Sequence, residues 1–119
     1  MTPGDPRILR EPVTRAVLDE LAQARFGDML KAVVDVRRGV IAVSGELHSD
    51  EEALLLEDGS RQADLWGINV YPREHAANWV EFDSMINVRP SQGNRSRDVE
   101  DPSVRDAILR VIRALVTDA

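Results

Sequence analysis

Cysteine is absent from this sequence of 119 residues. Its absence excludes disulfide scaffolds, thiolate metal sites and cysteine nucleophiles. No apolar run approaches the ~20 residues that a membrane-spanning helix needs. The first residues, from Met1 to Pro6, do not have the pattern of a signal peptide. We therefore expect a cytoplasmic protein that does not associate with membranes.

Basic residues are outnumbered, and lysine is almost missing. The chain carries 21 acidic and 15 basic residues, which gives a formal net charge of −6. A protein that binds duplex nucleic acid usually presents a basic face to the phosphates, so this partner is disfavoured. Lys31 is the single lysine. The preference for arginine has an ordinary explanation in genome composition, although arginine also suits bidentate recognition of carboxylates or phosphates.

Apolar residues are plentiful enough for one hydrophobic core, since they make up 43% of the chain. The length fits a single domain. Two prolines and a glycine fall within residues 1–7, which we assign to a flexible lead-in. Residues 8–119 are assigned to one domain.

Hydrophobic spacing predicts the elements of the first part of the domain. Residues 8–9 are predicted to form a short edge strand. Residues 12–26 have apolar positions at helical spacing and are followed by a glycine that can end a helix. Residues 29–37 and 40–46 read as the two strands of a hairpin around Arg38-Gly39.

In the second part of the domain, the sequence predicts two helices and two strands. Ser49 is followed three residues later by Glu52, which is the pattern of a capping box at the start of a helix. Residues 64–71 and 79–89 predict strands, and Asp101-Pro102 begins an amphipathic helix. The predicted order is (β)αββαββα. It indicates an α+β fold in which a mainly antiparallel sheet of four to five strands packs with two or three helices.

A short repeat lies within the two C-terminal strands. Ile68-Asn69-Val70-Tyr71-Pro72 matches Ile86-Asn87-Val88-Arg89-Pro90 at four of five positions. The simplest interpretation is a pair of similar strands, each ended by a proline that cannot continue the ladder. The asparagines would then lie on the face opposite the isoleucines and valines, and Trp66 would lie on the core face.

Distinctive short stretches cover most of the chain from Phe26 onward: Ala32-Val33-Val34-Asp35, Gly45-Glu46-Leu47-His48, Leu55-Leu56-Glu57-Asp58-Gly59-Ser60, Leu65-Trp66-Gly67-Ile68-Asn69-Val70-Tyr71-Pro72, Phe82-Asp83-Ser84-Met85-Ile86-Asn87-Val88-Arg89-Pro90 and Gln92-Gly93-Asn94-Arg95-Ser96-Arg97. They resemble a family of small bacterial proteins known only as a domain of unknown function. The resemblance implies a bacterial origin. It implies no activity, substrate or cofactor, so a functional hypothesis has to come from the residues themselves.

The strongest candidate site is the loop between the second repeat and the last helix. Three arginines and no acids lie between Arg89 and Arg97, whereas seven acids and one base lie between Glu46 and Asp64. Guanidinium, amide, hydroxyl and glycine backbone groups are the donors that anion sites use. A solvated loop, or one that docks on the acidic segment, are the alternatives. The candidate binding residues are Arg89, Gln92, Asn94, Arg95 and Arg97.

Further polar residues extend this candidate site. Site residues often lie between regular elements, although a helix end and a turn explain three of these residues equally well. Asparagine is uncommon in strands, so its side chains could line a cleft, and a solvated face is the ordinary alternative. The residues are Glu57, Ser60 and Gln62 after the predicted second helix, and Asn69, Asp83 and Asn87 in the predicted strands.

His48 stands beside acidic residues, which could form a metal site or a general base. The helix cap explains these acids sufficiently, and a protein metal site needs three or four converging ligands. The only other histidine is His75, and no zinc-protease, nucleotide-binding or hydrolase motif is present. No metal and no cofactor are predicted.

Two functions remain open at this point. The first is a binding or interaction module for a polar or anionic small molecule or for an acidic protein partner. The alternative is a small hydrolase or nuclease-like enzyme, in which Asp83 or Glu57 is the base, His48 is the acid, and Arg95 or Arg97 stabilises negative charge. A homodimer is one way to cover the exposed sheet edges.

Overall fold

The computed structural model describes residues 5–75 and 78–118. Residues 1–4 of the predicted lead-in lie outside this part, and the first strand already begins at Arg7. Three helices and seven strands follow one another in the described chain: β1 (Arg7–Leu9), β2 (Val13–Thr14), α1 (Arg15–Gln23), β3 (Leu30–Asp35), β4 (Val40–Val43), α2 (His48–Glu57), β5 (Leu65–Val70), β6 (Val80–Glu81), α3 (Pro102–Leu115) and β7 (Val116–Thr117).

The main sheet is antiparallel, with five strands in the order β1-β4-β3-β5-β6. A separate parallel pair joins β2 to β7. The predicted α+β class, with a mainly antiparallel sheet, is therefore confirmed. The hairpin of β3 and β4 is confirmed too, and Gly39 supplies the left-handed turn conformation with a φ of 70°.

The sheet lies between two helical layers. One face packs against α1 and α3, and the buried side chains Leu18, Ile108 and Ile112 belong to this layer. Trp66 lies on this core face with Ile68 and Val70, as the alternation along β5 predicts. The opposite face packs against α2 through a smaller cluster: Val33, Val40, Ala42, Leu55 and Leu65.

Two predicted helix starts are wrong. Residues 13–14 form β2, and the Thr14 side chain caps α1 by accepting from the N–H of Val17, so α1 starts later than predicted. The capping box at Ser49 does not form, because α2 begins at His48 without a side-chain cap. The predicted last helix is confirmed, since the Asp101 side chain accepts from the N–H of Ser103.

The predicted strand over residues 79–89 is mostly wrong. Of these residues only β6 (Val80–Glu81) joins the sheet, where it pairs with β5, and the second copy of the repeat lies at a 3-10 turn over Met85–Asn87. The buried Asn87 side chain takes the place of a neighbouring strand. Its Oδ1 accepts from the N–H of Gly67 at 2.8 Å, and its Nδ2 donates to the Gly67 carbonyl at 3.0 Å. The backbone N–H and carbonyl of Gly67, at the edge of β5, are therefore hydrogen-bonded to a side-chain amide instead of to the peptide groups of another strand.

Glycine at position 67 is required by the close approach of this turn. A Cβ at Gly67 would lie 2.5 Å from the Cβ of Ser84 and 2.6 Å from its Oγ. The turn therefore sits directly on the backbone of β5. Its position fixes the side chains of Ser84 and Met85 relative to the sheet.

The loop after this turn is held by asparagine and glutamate side chains. Asn94 Nδ2 donates to the carbonyls of Asn87 and Asp98 at 2.7 Å each, and its Oδ1 accepts from the N–H of Glu100. The Glu100 carboxylate accepts from the backbone N–H groups of Arg95 and Ser96. The segment from residue 89 to residue 100 is thus tied to itself and to the sheet.

We predict that Asn87→Ala destabilises the protein by about 2–4 kcal/mol, because two buried hydrogen bonds and one part-buried hydrogen bond to backbone groups are lost. Asn69→Ala, in the other copy of the repeat, is the matched control. Asn69 makes one hydrogen bond of 2.8 Å and a longer contact of 3.4 Å, so its loss should cost less. Urea unfolding of both variants measures the difference, and an equal or larger cost at position 69 would contradict this account.

Candidate functional site

A groove of about 170 Å³ lies where the start of α2 meets the 3-10 turn and the sheet. The elements that form it come from distant parts of the chain: β3, the start of α2, the turn after β6, and the loop before α3. The turn is held in place by the Asn87 hydrogen bonds to β5. The lining side chains are Lys31, Leu47, His48, Ser49, Ser84, Met85, Ile86 and Arg97.

Positive charge dominates the polar part of the groove. Lys31 comes from β3, on the sheet face that α2 covers, and Arg97 comes from the loop. Arg97 Nε donates to Asp83 Oδ1 at 2.6 Å, which orients the guanidinium. No hydrogen bond within the described residues uses its other two nitrogens. The backbone carbonyl of Arg97 also accepts from the N–H of Ser84, which joins the loop to the turn.

His48 is held as a neutral ring with a defined tautomer. Its Nε2 lies 2.7 Å from the carbonyl oxygen of Ile68, and a carbonyl can only accept, so Nε2 carries the proton. The pKa of His48 is lowered, mainly by burial: the hydrogen bond to Ile68 and the charge of Asp83 raise it, and the positive charges of Lys31 and Arg97 lower it further. The second nitrogen, Nδ1, is therefore an unprotonated acceptor at neutral pH.

The start of α2 adds donor groups to the groove. His48 and Ser49 are its first two residues, and within the part of the chain that the structure describes no side chain caps this end of the helix. The amides of a helix N-terminus carry partial positive charge. Ser49 and the buried Ser84 also line the groove. Lys31, His48, Arg97 and two serines are thus gathered around one small volume.

Some of the residues that the sequence singles out meet at or beside this groove. Arg97 lines it, and Asp83 holds Arg97. Asn69 lies beneath it on β5, opposite Lys31 in the strand register, and donates to Glu81. Asn69 Oδ1 is buried and has no hydrogen-bond partner among the described residues.

A second group of the predicted site residues, Glu57, Ser60 and Gln62, lies at the other end of α2. Ser60 donates to the buried carboxylate of Asp35 at 2.6 Å and accepts from Arg38, so its hydroxyl braces the β3–β4 turn. Glu57 lies beside a shallow acidic depression with Leu54 and Asp58. Gln62 contributes its backbone carbonyl to a hydrogen bond with Arg89. The structure does not bring these residues to the groove.

The remaining predicted residues stabilise the loop. Arg89 stacks over the ring of Trp66 at 4.1 Å and donates to the carbonyl of Leu65, so its guanidinium is occupied. Gln92 donates to the carbonyl of Ala63. Asn87 and Asn94 are buried and bonded to backbone groups. Arg95 is exposed and does not line the groove.

Sequence reasoning missed Lys31, Ser49 and the aliphatic residues of the groove, and it noted Ser84 only as one of several polar residues in a predicted strand. One signal was available, because Lys31 is the single lysine and stands inside an apolar strand. Nothing in the sequence sets the two serines apart as groove residues. Their role depends on the 3-10 turn, which replaces a predicted strand.

Comparison with known protein families matches residues 7–115 to the family described as "Protein of unknown function (DUF5674)". The match covers most of the chain. This protein belongs to the DUF5674 family. No curated protein and no solved structure matches the chain.

This DUF5674 member has a buried carboxyl group next to the groove. Glu51 of α2 is fully buried, and its Oε2 accepts from the N–H of Gly45 at 2.9 Å. Its Oε1 has no partner among the described residues. Burial raises the pKa of Glu51 well above its usual value, while the Gly45 hydrogen bond and the charge of Lys31 lower it less. The carboxyl favours its neutral form.

Two further properties of this DUF5674 chain concern metal binding and membrane-spanning helices. Over residues 5–75 and 78–118, no group of three or more histidine, aspartate or glutamate side chains is placed to hold a metal ion. No helix in the same ranges is long and apolar enough to cross a bilayer.

We predict that Glu51→Gln stabilises the protein increasingly as the pH rises. A buried acid with a raised pKa favours folding fully only below its unfolded pKa, and this contribution is lost as the pH rises toward the folded pKa. Glutamine stays neutral and can still accept from Gly45. The gain in melting temperature should therefore be larger at about pH 8 than at about pH 5.

Glu57→Gln, at an exposed position of the same helix, controls for the loss of one negative charge. If the glutamine variant at position 51 were less stable at the higher pH, a charged and paired Glu51 would be indicated instead.

Proposed function

We propose that this DUF5674 protein is a binding module for a small anionic ligand, which it holds in the groove between α2 and the 3-10 turn. The observation that carries the proposal is the convergence of Lys31, His48 and Arg97 on one cavity of about 170 Å³. Ligand sites combine a concave shape with a few converging polar groups. Guanidinium and ammonium groups are the strongest protein donors to anions.

The size and charge of the molecule favour a small ligand over a polymer. The groove is smaller than the ~300–1,000 Å³ of sites for drug-sized ligands. The net charge of −6 repels an extended polyanion such as duplex nucleic acid. A small anion in the groove, by contrast, meets mainly the local positive charge.

Preorganisation of Arg97 supports the same function. Asp83 holds the guanidinium through Nε, which leaves the four N–H groups of the other two nitrogens for a ligand. Because the side chain is already oriented, less rotamer entropy is lost when an anion binds. A protein partner that inserts an acidic side chain would use the same groups.

We predict that Lys31→Gln and Arg97→Gln each weaken anion binding about tenfold, since each removes a charge-assisted hydrogen bond. Binding of acetate and of inorganic phosphate is measured by the shifts of backbone amide NMR signals. Signals from residues 47–49 and 84–86 should move in a saturable way.

Arg95→Gln is the matched control, because it removes the same charge two residues from Arg97 and outside the groove. It should leave the affinity within about twofold. Equal losses for Arg95 and Arg97 would indicate a general charge effect, and shifts that avoid the groove would refute the proposed site.

A second candidate function is hydrolysis. It is favoured by a neutral His48 with a free Nδ1 beside Asp83 and Arg97, which is the arrangement of a general base near an anion-stabilising group. Glu57 lies nine residues from His48 along α2, about 13 Å away at the usual helical rise, which removes it from this chemistry. The lowered pKa of His48 suits a base better than an acid.

Hydrolysis is tested on ester and phosphoester substrates with the unmodified protein, His48→Ala and Asp83→Asn. We expect any turnover by the protein itself to fall at least about a hundredfold in His48→Ala, the usual contribution of general base catalysis. Turnover that persists in both variants would exclude this role.

A further inference from the structure

We infer that the ligand is a carboxylate carried on a short aliphatic group, with the carboxylate at Lys31 and Arg97 and the aliphatic part against Leu47 and Met85. This inference rests on the proposed anion site and names the class of anion. It follows from the charge inside the groove and from the apolar side chains at its rim.

The charged side chains at the groove have a net charge of +1. Lys31 and Arg97 line it, and Asp83 pairs with Arg97 at 2.6 Å. His48 itself is neutral at pH 7, and the neighbouring buried Glu51 favours its neutral form. A single positive charge is balanced by one negative charge. A carboxylate meets this requirement, whereas a phosphate monoester near pH 7 carries almost two charges.

The rim of the groove is aliphatic and exposed. Met85 is 65% exposed and Leu47 is 51% exposed, the two largest values among the exposed large apolar residues of the described chain. Both line the same groove, with Ile86 beside them. Single apolar residues on a surface need no explanation, but a cluster at a cavity marks a binding site. An inorganic anion or a sugar phosphate would leave this rim unused.

The charged side chains and the exposed apolar side chains line one small volume. Met85 belongs to the 3-10 turn and Leu47 directly precedes α2, so the exposed apolar residues come from two elements that border the groove. The buried Ser84 and the charged side chains of Lys31 and Arg97 line the same groove. A ligand with a charged head and a short branched chain fits this combination. The groove, at about 170 Å³, is smaller than the sites that hold drug-sized ligands.

The test compares four probes by amide NMR titration of the full chain: acetate, 4-methylpentanoate, 4-methylpentanol and inorganic phosphate. We expect 4-methylpentanoate to bind at least about tenfold more tightly than acetate, because three or four methylene equivalents leave water. The alcohol should bind much more weakly than the acid of the same chain. Phosphate should not exceed acetate in affinity.

Variants separate the aliphatic rim from the charged groups. Leu47→Ser and Met85→Ser should remove most of the advantage of 4-methylpentanoate and leave acetate binding within about twofold. Leu56→Ser is the matched control, since Leu56 is 41% exposed at the far end of α2 and does not line the groove. It should change neither affinity.

The outcomes distinguish this inference from the proposed function. If acetate and phosphate bind in the groove but the aliphatic chain adds no affinity, the anion site stands and the inference fails. Tighter binding of phosphate than of carboxylate also overturns it. If no anion binds, the proposed function fails as well. N-acetyl-leucine tests whether the carboxylate belongs to a polypeptide or to a small molecule. If it binds more tightly than 4-methylpentanoate, the ligand is a polypeptide C-terminus; if it binds more weakly, the ligand is a free acid.

Discussion

The paired hydrogen bonds between the Asn87 side chain and the backbone of Gly67 hold the 3-10 turn over Met85–Asn87 against β5 of the main sheet. A peptide edge in the middle of β5 would otherwise be open, and the amide group satisfies both its donor and its acceptor. Because Asn87 also bonds to the carbonyl of Arg97, the same side chain sets the position of the loop. The groove exists because these contacts bring Ser84 and Arg97 to the start of α2.

A polar region within an apolar fold has an energetic cost that this structure limits. Glu51 is buried beside the groove with one oxygen unpartnered in the described chain, which favours the neutral carboxyl. Neutral Glu51 and neutral His48 leave the charge of Lys31 without a buried counter-ion from α2. A site that keeps its positive charge uncompensated retains its attraction for an anion, at the expense of some folding stability.

Local patterns predict those elements whose residues interact with near neighbours in the sequence. The spacing in α3, the cap at Asp101 and the glycine turn of β3–β4 are of this kind, and the structure has them. The repeat shows the limit of such patterns, because Ile68-Asn69-Val70 is a strand and Ile86-Asn87-Val88 is largely a 3-10 turn. What differs is the partner: the first copy lies between two strands, whereas the second meets a glycine that admits the turn against the backbone. The groove required the strand order and this contact, and neither is encoded in a periodic pattern.

The parallel pair of β2 and β7 has a consequence for how the chain reaches this structure. Thr117 and Val13, which lie 104 residues apart, are joined across it. Closing so long a loop costs much chain entropy and returns few contacts until α1 and α3 are docked on the sheet. The β2–β7 pair should therefore form late in folding and separate first on unfolding. The groove lies on the other face of the sheet, so the two strands can separate while the groove remains assembled.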